Sequence, residues 1–397
     1  MNPCPYPLSF EHPDELPPRL AVIREEQPVC PLDLAGGARA WMATRHEDVR
    51  GVLADSRFLP RFPGFEVDSA EIAELAAMTD LMFLKEGAEH ARLRKLVSKA
   101  FSPAFIEGMR RPVRQRVDEL IDDLLAAGPP ADFVGVFAVP LSIDVVSGML
   151  GVRLEDREAY RGWAEASIAS TDHSDFSSEE VTTAVLGMLV EGSNLLASKR
   201  ESLGDDLLSK LIEVHDEQGA LTDKELLGLF VTLLTAGSVS TVAALARGVI
   251  LLQEPRERWD AMRADLAGLP LLVEELLRLE ATGRDPMRVA KQDLTLRGAE
   301  IRAGQVVVLS LMAANRDPAV FAEPEAYRPD RTPNPQLVFG HGPHHCLGAA
   351  LARLEIEEAL RGLGARLPGL RLAVPPDQLD WLIGSLMPMP RKLPVAW

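Results

Sequence analysis

The chain has 397 residues, 47% of them hydrophobic, enough to bury a large core, and no Gly/Ser tract, single-charge run or repeat divides it, so one large domain is expected. Lys plus Arg number 42 against 59 Asp plus Glu, a net charge of −17 that excludes nucleic acid as a general partner, because phosphate binding needs a positive surface. Three cysteines (Cys4, Cys30 and Cys346) form no disulfide framework, and the Pro-rich, acidic start has neither the basic end nor the apolar run of a secretory signal, so a reducing cytoplasm is the expected compartment.

In chain order, the first sixty or so residues mix turns with a short strand at 40–43 and a helix at 46–53. From about His90 to Leu252, apolar residues at three- and four-residue spacing predict helices over 90–100, 112–127, 141–150, 178–199 and 205–218. Asp205 is placed to cap the last of these and Gly219 to end it. The stretch 167–185 carries no readable signature. Thr222, Asp223, Lys224 and Glu225 open a further helix, in which Leu226 to Ala246 runs 21 residues without a charge. That length could cross a membrane. Gly237, Ser238, Ser240 and Thr241 at its middle, and the lack of a second such stretch, favour a buried central helix and no membrane partner.

Another helix ends near Arg278. After Met287 the period changes: short strands are expected at 293–296, 300–302 and 306–309, with Gly298 and Gly304 at turns. A Pro-, Asp- and Arg-rich loop at 315–335 precedes a last helix at 347–367 and a short extended tail. The expectation is mainly α with minor β. No alternating βαβ pattern occurs, which excludes a Rossmann-type nucleotide fold.

The sharpest local feature is Phe339-Gly340-His341-Gly342-Pro343-His344-His345-Cys346-Leu347-Gly348. Two glycines and a proline preset a tight loop. Cys346 is placed at a helix start, where the dipole and unpaired N–H groups stabilise a thiolate. Gly348 allows a flat ligand close to the backbone. Three readings stand on the residues alone: a buried structural thiol, zinc held with His341, His344 and His345, or a haem ligand. Zinc sites ordinarily need a second ligand pair, which is missing.

The pattern Phe339-Gly340-x-Gly342-x-His344-x-Cys346-Leu347-Gly348, followed by Ala352-Arg353-Leu354-Glu355, resembles the haem-binding signature of the cytochrome P450 family, in its bacterial soluble class. The likeness extends over nearly the whole chain. It includes Ala40 to Thr44, Asp48 to Arg50, Asp205 to Ser209, Trp381 and Leu393 to Val395. It implies one cytochrome P450-like catalytic domain with a long central helix over haem b. Cys346 would ligate the iron, with Phe339 and Gly348 beside the haem. His90 and Arg94, on one helix face at i and i+4, together with Arg288 and His344, would hold the propionates. Glu275 and Arg278 resemble the family's structural Glu-Arg pair, and Tyr327 to Arg331 the segment completing it.

In the long helix, Ala236 and Gly237 match the place where the family's helix opens for oxygen. The family's acid is replaced by Val239, which cannot relay a proton. Ser240, or Thr241 one position on, is then the expected hydroxyl in the proton route. The resemblance places Leu81, Met82, Phe83, Leu233, Ala236, Gly237, Met287, Leu386 and Met387 near the substrate. Arg284 and Asp285 are candidates for its polar groups. The implied reaction is monooxygenation by O2 of a hydrophobic or aromatic natural-product intermediate. Electrons would come from a ferredoxin and ferredoxin reductase, with Arg110, Arg111 and Arg114 facing the donor and the protein a monomer. Oxidative coupling, a peroxide-driven reaction and a haem-based ligand sensor are the alternatives.

Overall fold

A computed structural model describes residues 4–6, 8, 13–34, 38–61, 80–153, 156–157, 160, 162, 179–218, 221–280, 285–382 and 388–397. Arg284, Leu386, Met387, Gly219 and most of 167–185 therefore lie outside the described residues. The chain forms two compact units, each assembled from separated segments: Met1–Pro63, Ala246–Cys346 and Pro375–Arg391 in the first, Gly64–Leu245, Leu347–Val374 and Lys392–Trp397 in the second.

The first unit is built on a six-stranded sheet, in the order Cys4–Tyr6, Val29–Leu34, Arg39–Ala43, Val306–Leu309, Met287–Ala290, Phe58–Arg61. Val306–Leu309 lies inside the sheet, parallel to Arg39–Ala43 and antiparallel to Met287–Ala290. All four of its residues are buried, the pattern of a strand covered on both faces. Successive side chains point to opposite faces. Accordingly Val306 and Val308 pack with Leu20, Ile23, Leu32 and Met42, while Val307 and Leu309 pack with Val49, Val52, Leu53 and Phe58. Cys30 lies in the first of these clusters, which suits a plain core thiol. A two-stranded hairpin, Leu294–Leu296 with Ala299–Ile301, turns through Arg297 and Gly298, both at positive φ. The strands at 4–6, 29–34, 58–61 and 287–290 and the helices Leu16–Glu26 and Glu257–Ala264 were not legible in the sequence.

The second unit is helical, with one small sheet of Arg371–Leu372, Pro394–Ala396 and Ala131–Asp132. Two predicted starts shift. The helix expected from Pro112 begins at Pro103 and runs to Ala127, with Pro112 inside it. Ser102 caps it, its Oγ accepting from the Phe105 N–H at 3.3 Å. An internal proline costs about 3 kcal/mol. Here the buried stripe of Val113, Val117, Leu120, Ile121 and Leu124 offsets that cost. The helix Leu207–Gln218 is capped by Asp206, not Asp205, through the Ser209 N–H at 2.9 Å.

The long helix is Asp223–Gln253. Thr222 and Glu225 form a reciprocal capping box: Glu225 N–H donates to Thr222 Oγ1 (3.2 Å), and Thr222 N–H to Glu225 Oε2 (2.8 Å). The helix is long and apolar enough to cross a membrane. Leu226, Leu229, Phe230, Leu234, Val242, Ala243 and Leu245 are buried within the protein, as in a core helix.

Candidate active site

In the first unit, the residues around Cys346 fold back on themselves. Gly340 and Gly342 hold φ of 71° and 75°, a left-handed conformation that side chains disfavour. At Gly342 a Cβ would also lie 2.9 Å from Ala54 Cα and Leu53 O, so the loop can seat on the helix His46–Ala54 only with glycine there. Gly340 N–H donates to Leu337 O (2.8 Å), and Cys346 N–H closes the loop onto Phe339 O (2.8 Å). Arg50 Nε–H donates to His341 Nε2 at 3.3 Å. Burial, Arg50 and His46 together hold that imidazole below the usual histidine range, so it stays a neutral acceptor.

Cys346 is exposed, which removes the buried structural thiol. Among the described residues no group of three or more His, Cys, Asp or Glu is placed to hold a metal ion, which removes the zinc cluster. One expectation needs correction. The following helix is Ala349–Arg366 with Gly348 at its N-cap, so Cys346 stands two residues before the cap and not at the helix start. Loop hydrogen bonding, rather than a position in the first helical turn, fixes its backbone.

The loop is tied to a fully buried ion-pair network. Arg278 donates through Nε and Nη2 to the two carboxylate oxygens of Glu275, each at 2.8 Å, and neither side chain is exposed. Glu275 also accepts from Arg331 Nε (3.0 Å), the Arg328 N–H (3.0 Å) and Asn334 Nδ2 (3.3 Å). Arg278 Nη1 reaches the carbonyls of Asn315 (2.9 Å) and Pro324 (2.7 Å). Asn315 then passes the connection on, its Oδ1 accepting from the Leu337 N–H at 2.7 Å, at the root of the cysteine loop. Asn315 escaped the sequence reading. Only its complete burial and its two partners, far apart in sequence, mark it.

Also in this unit, Arg288 and Met287 are buried on the strand Met287–Ala290, and Arg288 Nη1 donates to the Met287 carbonyl at 3.0 Å. His344 lies in a single 3-10 turn, Gly342–His344, and is half-buried. Asp285 accepts the Leu311 N–H at 3.0 Å, and burial pushes its carboxyl up to about 7 against this bond and that from Tyr6. The folded chain therefore holds an extra proton between pH 3.8 and about 7, and stability falls as pH rises through that window. Asp285→Asn removes this dependence. It is expected to match the parent at pH 4 and to exceed it at pH 8 by about 1–2 kcal/mol in denaturant titrations. Equal pH slopes in the two proteins would contradict this.

In the second unit, His90 is buried and Arg94 half-buried on the helix Gly87–Ala100, one turn apart on one face. The 3-10 turn Met82–Leu84 follows a buried Leu81, with Met82 buried and Phe83 half-buried. At Gly348 a Cβ would meet nothing within 4 Å, so there is room for a flat group against the backbone.

On the long helix, Ala236 is exposed, and Leu233, Gly237 and Ser240 are half-buried on the same side. Val239 and Thr241 are buried. Ser240 Oγ donates to Ala236 O (3.2 Å) and Thr241 Oγ1 to Gly237 O (3.3 Å). Of the two candidate hydroxyls, Ser240 alone lies on the accessible side. The helix runs unbroken through this turn. Ser142 from the helix Val139–Met149 donates to Gly237 O (3.3 Å) and Ser238 O (3.0 Å), and Gly237 lets Val146 approach to 2.9 Å from where a Cβ would stand. Ser142 is a second residue that the sequence did not single out.

Arg110 and Arg114 both pair with Glu358, Arg110 half-buried and Arg114 still exposed. Glu358, fully buried, accepts from Arg110 at 2.7 Å and from Arg114 at 2.8 Å. Burial opposes ionisation of Glu358, and the two guanidiniums outweigh it, holding the carboxyl below its ordinary range.

The donors of the first unit fit haem: an exposed thiol on a preset loop, a buried Arg288 and a half-buried His344. Comparison with known proteins agrees. The cytochrome P450 family model matches residues 193–363. Nocardicin C N-oxygenase of Nocardia uniformis subsp. tsuyamanensis is 40% identical over 99% of this chain and 98% of its own length. Mycinamicin IV hydroxylase/epoxidase of Micromonospora griseorubida is 39% identical over 100% and 99%. The solved structure of the mixed-function P450 MycG covers 100% of both chains at 38% identity with a TM-score of 0.89. The chain belongs to the cytochrome P450 family, and its fold is the P450 fold. It is accordingly a haem-dependent monooxygenase of the bacterial type, which uses O2 and electrons from redox partners to oxidise a small molecule.

Proposed function

We propose that this protein is a tailoring monooxygenase that oxidises a hydrophobic or aromatic natural-product intermediate on a haem b ligated by Cys346. The observation that carries the reading is the exposed Cys346 on its glycine-set loop, backed by the buried Glu275–Arg278–Asn315 network. When bound, a thiolate-ligated haem supplies oxygen activation, because thiolate donation favours O–O cleavage.

In this reading His90, Arg94, Arg288 and His344 neutralise the propionates, since buried carboxylates need cationic or donor partners. Phe339 and Gly348 border the macrocycle. Leu81, Met82, Phe83, Leu233 and Met287 supply apolar, adaptable side chains for the substrate. Ala236, on the accessible side, leaves room for oxygen, whereas the space at Gly237 is taken by Val146. Ser240 holds the proton-donating hydroxyl, with ordered water and a polar group of the substrate completing the route that Val239 cannot serve.

Natural-product chemistry is supported by the relatives, which act on nocardicin C and mycinamicin IV by their names. The electron donor is a ferredoxin with its reductase. We place the protein in the cytoplasm as a monomer with a single catalytic domain. The test is the reduced carbon-monoxide difference spectrum of the purified protein. The red-shifted Soret band of thiolate-ligated haem is expected, and a band at the position of histidine-ligated haem, or no haem at all, overturns the reading.

Ser240→Ala is expected to lower product formed per reductant consumed by at least about tenfold, a modest share of what general acid–base groups contribute. Thr241→Ala should leave that ratio near the parent value, because its hydroxyl is buried against Gly237 O. The reverse ranking would reassign the relay to Thr241.

A further inference from the structure

Residues 80–85 form a short strap that carries Leu81, Met82 and Phe83, and its seat on the long helix requires a glycine. At Gly228 a Cβ would lie 2.6 Å from the Asp80 carbonyl oxygen, 2.8 Å from the carbonyl carbon and 3.1 Å from the nitrogen. All three are main-chain atoms, which cannot swing aside as the end of a flexible side chain can. The Asp80 N–H donates to Lys224 O at 3.3 Å, one turn before Gly228.

The strap is held at its other end as well. Lys85 bridges Asp80 (3.2 Å) and Glu89 (2.9 Å). Glu225, in the same turn of the long helix, pairs with Arg92 of Gly87–Ala100. Between these anchors the Leu84 N–H donates to Leu81 O and the Lys85 N–H to Met82 O, each at 3.1 Å, so there is little slack. A shift of the Asp80 backbone must be passed to the three apolar residues that follow it.

We propose that Gly228 is a specificity-determining residue: the missing side chain lets the Asp80 backbone seat on the long helix, and that seat sets where Leu81, Met82 and Phe83 meet the substrate. The inference rests on the reading of those three residues as substrate-facing in a haem enzyme. It makes Gly228 a positioning residue, acting through the strap without touching substrate.

The test compares Gly228→Ala with Gly108→Ala, a helical glycine whose Cβ would meet nothing within 4 Å. Two spectral titrations are run on each haem-loaded protein, with imidazole and with 4-phenylimidazole. Both coordinate iron through the same ring, and only the second needs room beyond it. Gly228→Ala is expected to change the ratio of the two Kd values about tenfold, about 1.4 kcal/mol, with the carbonyl spectrum retained. Gly108→Ala keeps the parent ratio. An unchanged ratio in Gly228→Ala with an intact carbonyl spectrum overturns the proposal. Should that variant not fold, hydrogen exchange on the parent decides: an Asp80 amide exchanging at the rate of an open chain overturns it, and a protected amide supports it. A parent protein with no thiolate carbonyl band sinks the haem reading instead, so the two failures are told apart.

Discussion

Cys346→Ala is expected to abolish the thiolate carbonyl band and all oxygen-dependent turnover. The loop offers one sulfur donor, which ligates iron as the thiolate, and a methyl group cannot replace it. The change should cost little in folding, because Cys346 is exposed and the loop is fixed by main-chain bonds: Gly340 N–H to Leu337 O and Cys346 N–H to Phe339 O survive the substitution. Compared as haem-free proteins, variant and parent should therefore give similar circular dichroism melts, while in the haem-loaded protein the chromophore is lost or altered. A variant with the parent's carbonyl spectrum would show that the iron takes its ligand elsewhere, and the assignment of the loop would fall with it.

Arg278→Ala is expected to have the largest effect on stability of any single change outside the hydrophobic core. The guanidinium, fully buried, makes bonds to both oxygens of Glu275 and to the carbonyls of Asn315, Pro324 and Ala326. Removing one partner of a buried pair leaves the other charge and several acceptors unsatisfied, a loss of about 3–5 kcal/mol. Arg331 and the Arg328 N–H still reach Glu275, so part of its charge remains compensated. The loss should also spread to the cysteine loop, because Asn315 holds Leu337. The haem-to-protein ratio should fall together with the denaturation midpoint. Arg278→Lys should rescue little, since one ammonium cannot reproduce a planar fork of five donors. A midpoint within about 0.5 kcal/mol of the parent would mean that the network is surface-like, against its geometry.

The two changes separate chemistry from support. Cys346 is exposed and replaceable in the fold, whereas Arg278 is buried and never needs to meet a substrate. A Glu-x-x-Arg spacing alone cannot distinguish a solvated ion pair from this network. Full burial and the carbonyls that converge on the guanidinium make the difference.

What the sequence by itself determined was local. Gly340 and Gly342 announce a tight loop, Thr222 to Glu225 the opening of a helix, and the uncharged run from Leu226 a buried helix, because each follows from residues a few positions apart. The cysteine loop and the mainly α character were legible for the same reason. Tertiary structure decided what depends on distant partners. Cys4–Tyr6 reads as loop until Val29–Leu34 pairs with it, and Arg39–Ala43 finds its parallel neighbour in Val306–Leu309, from the far part of the chain. Such pairings leave no period in the sequence. The choice between Ser240 and Thr241 also needed the fold: adjacent residues on a helix point about 100° apart, and only packing shows which side is covered. Likewise only the fold shows that one buried carboxylate, Glu358, pairs with both Arg110 and Arg114. Asn315 and Gly228 act solely through residues remote in the chain, so their roles exist only once those segments have been brought together.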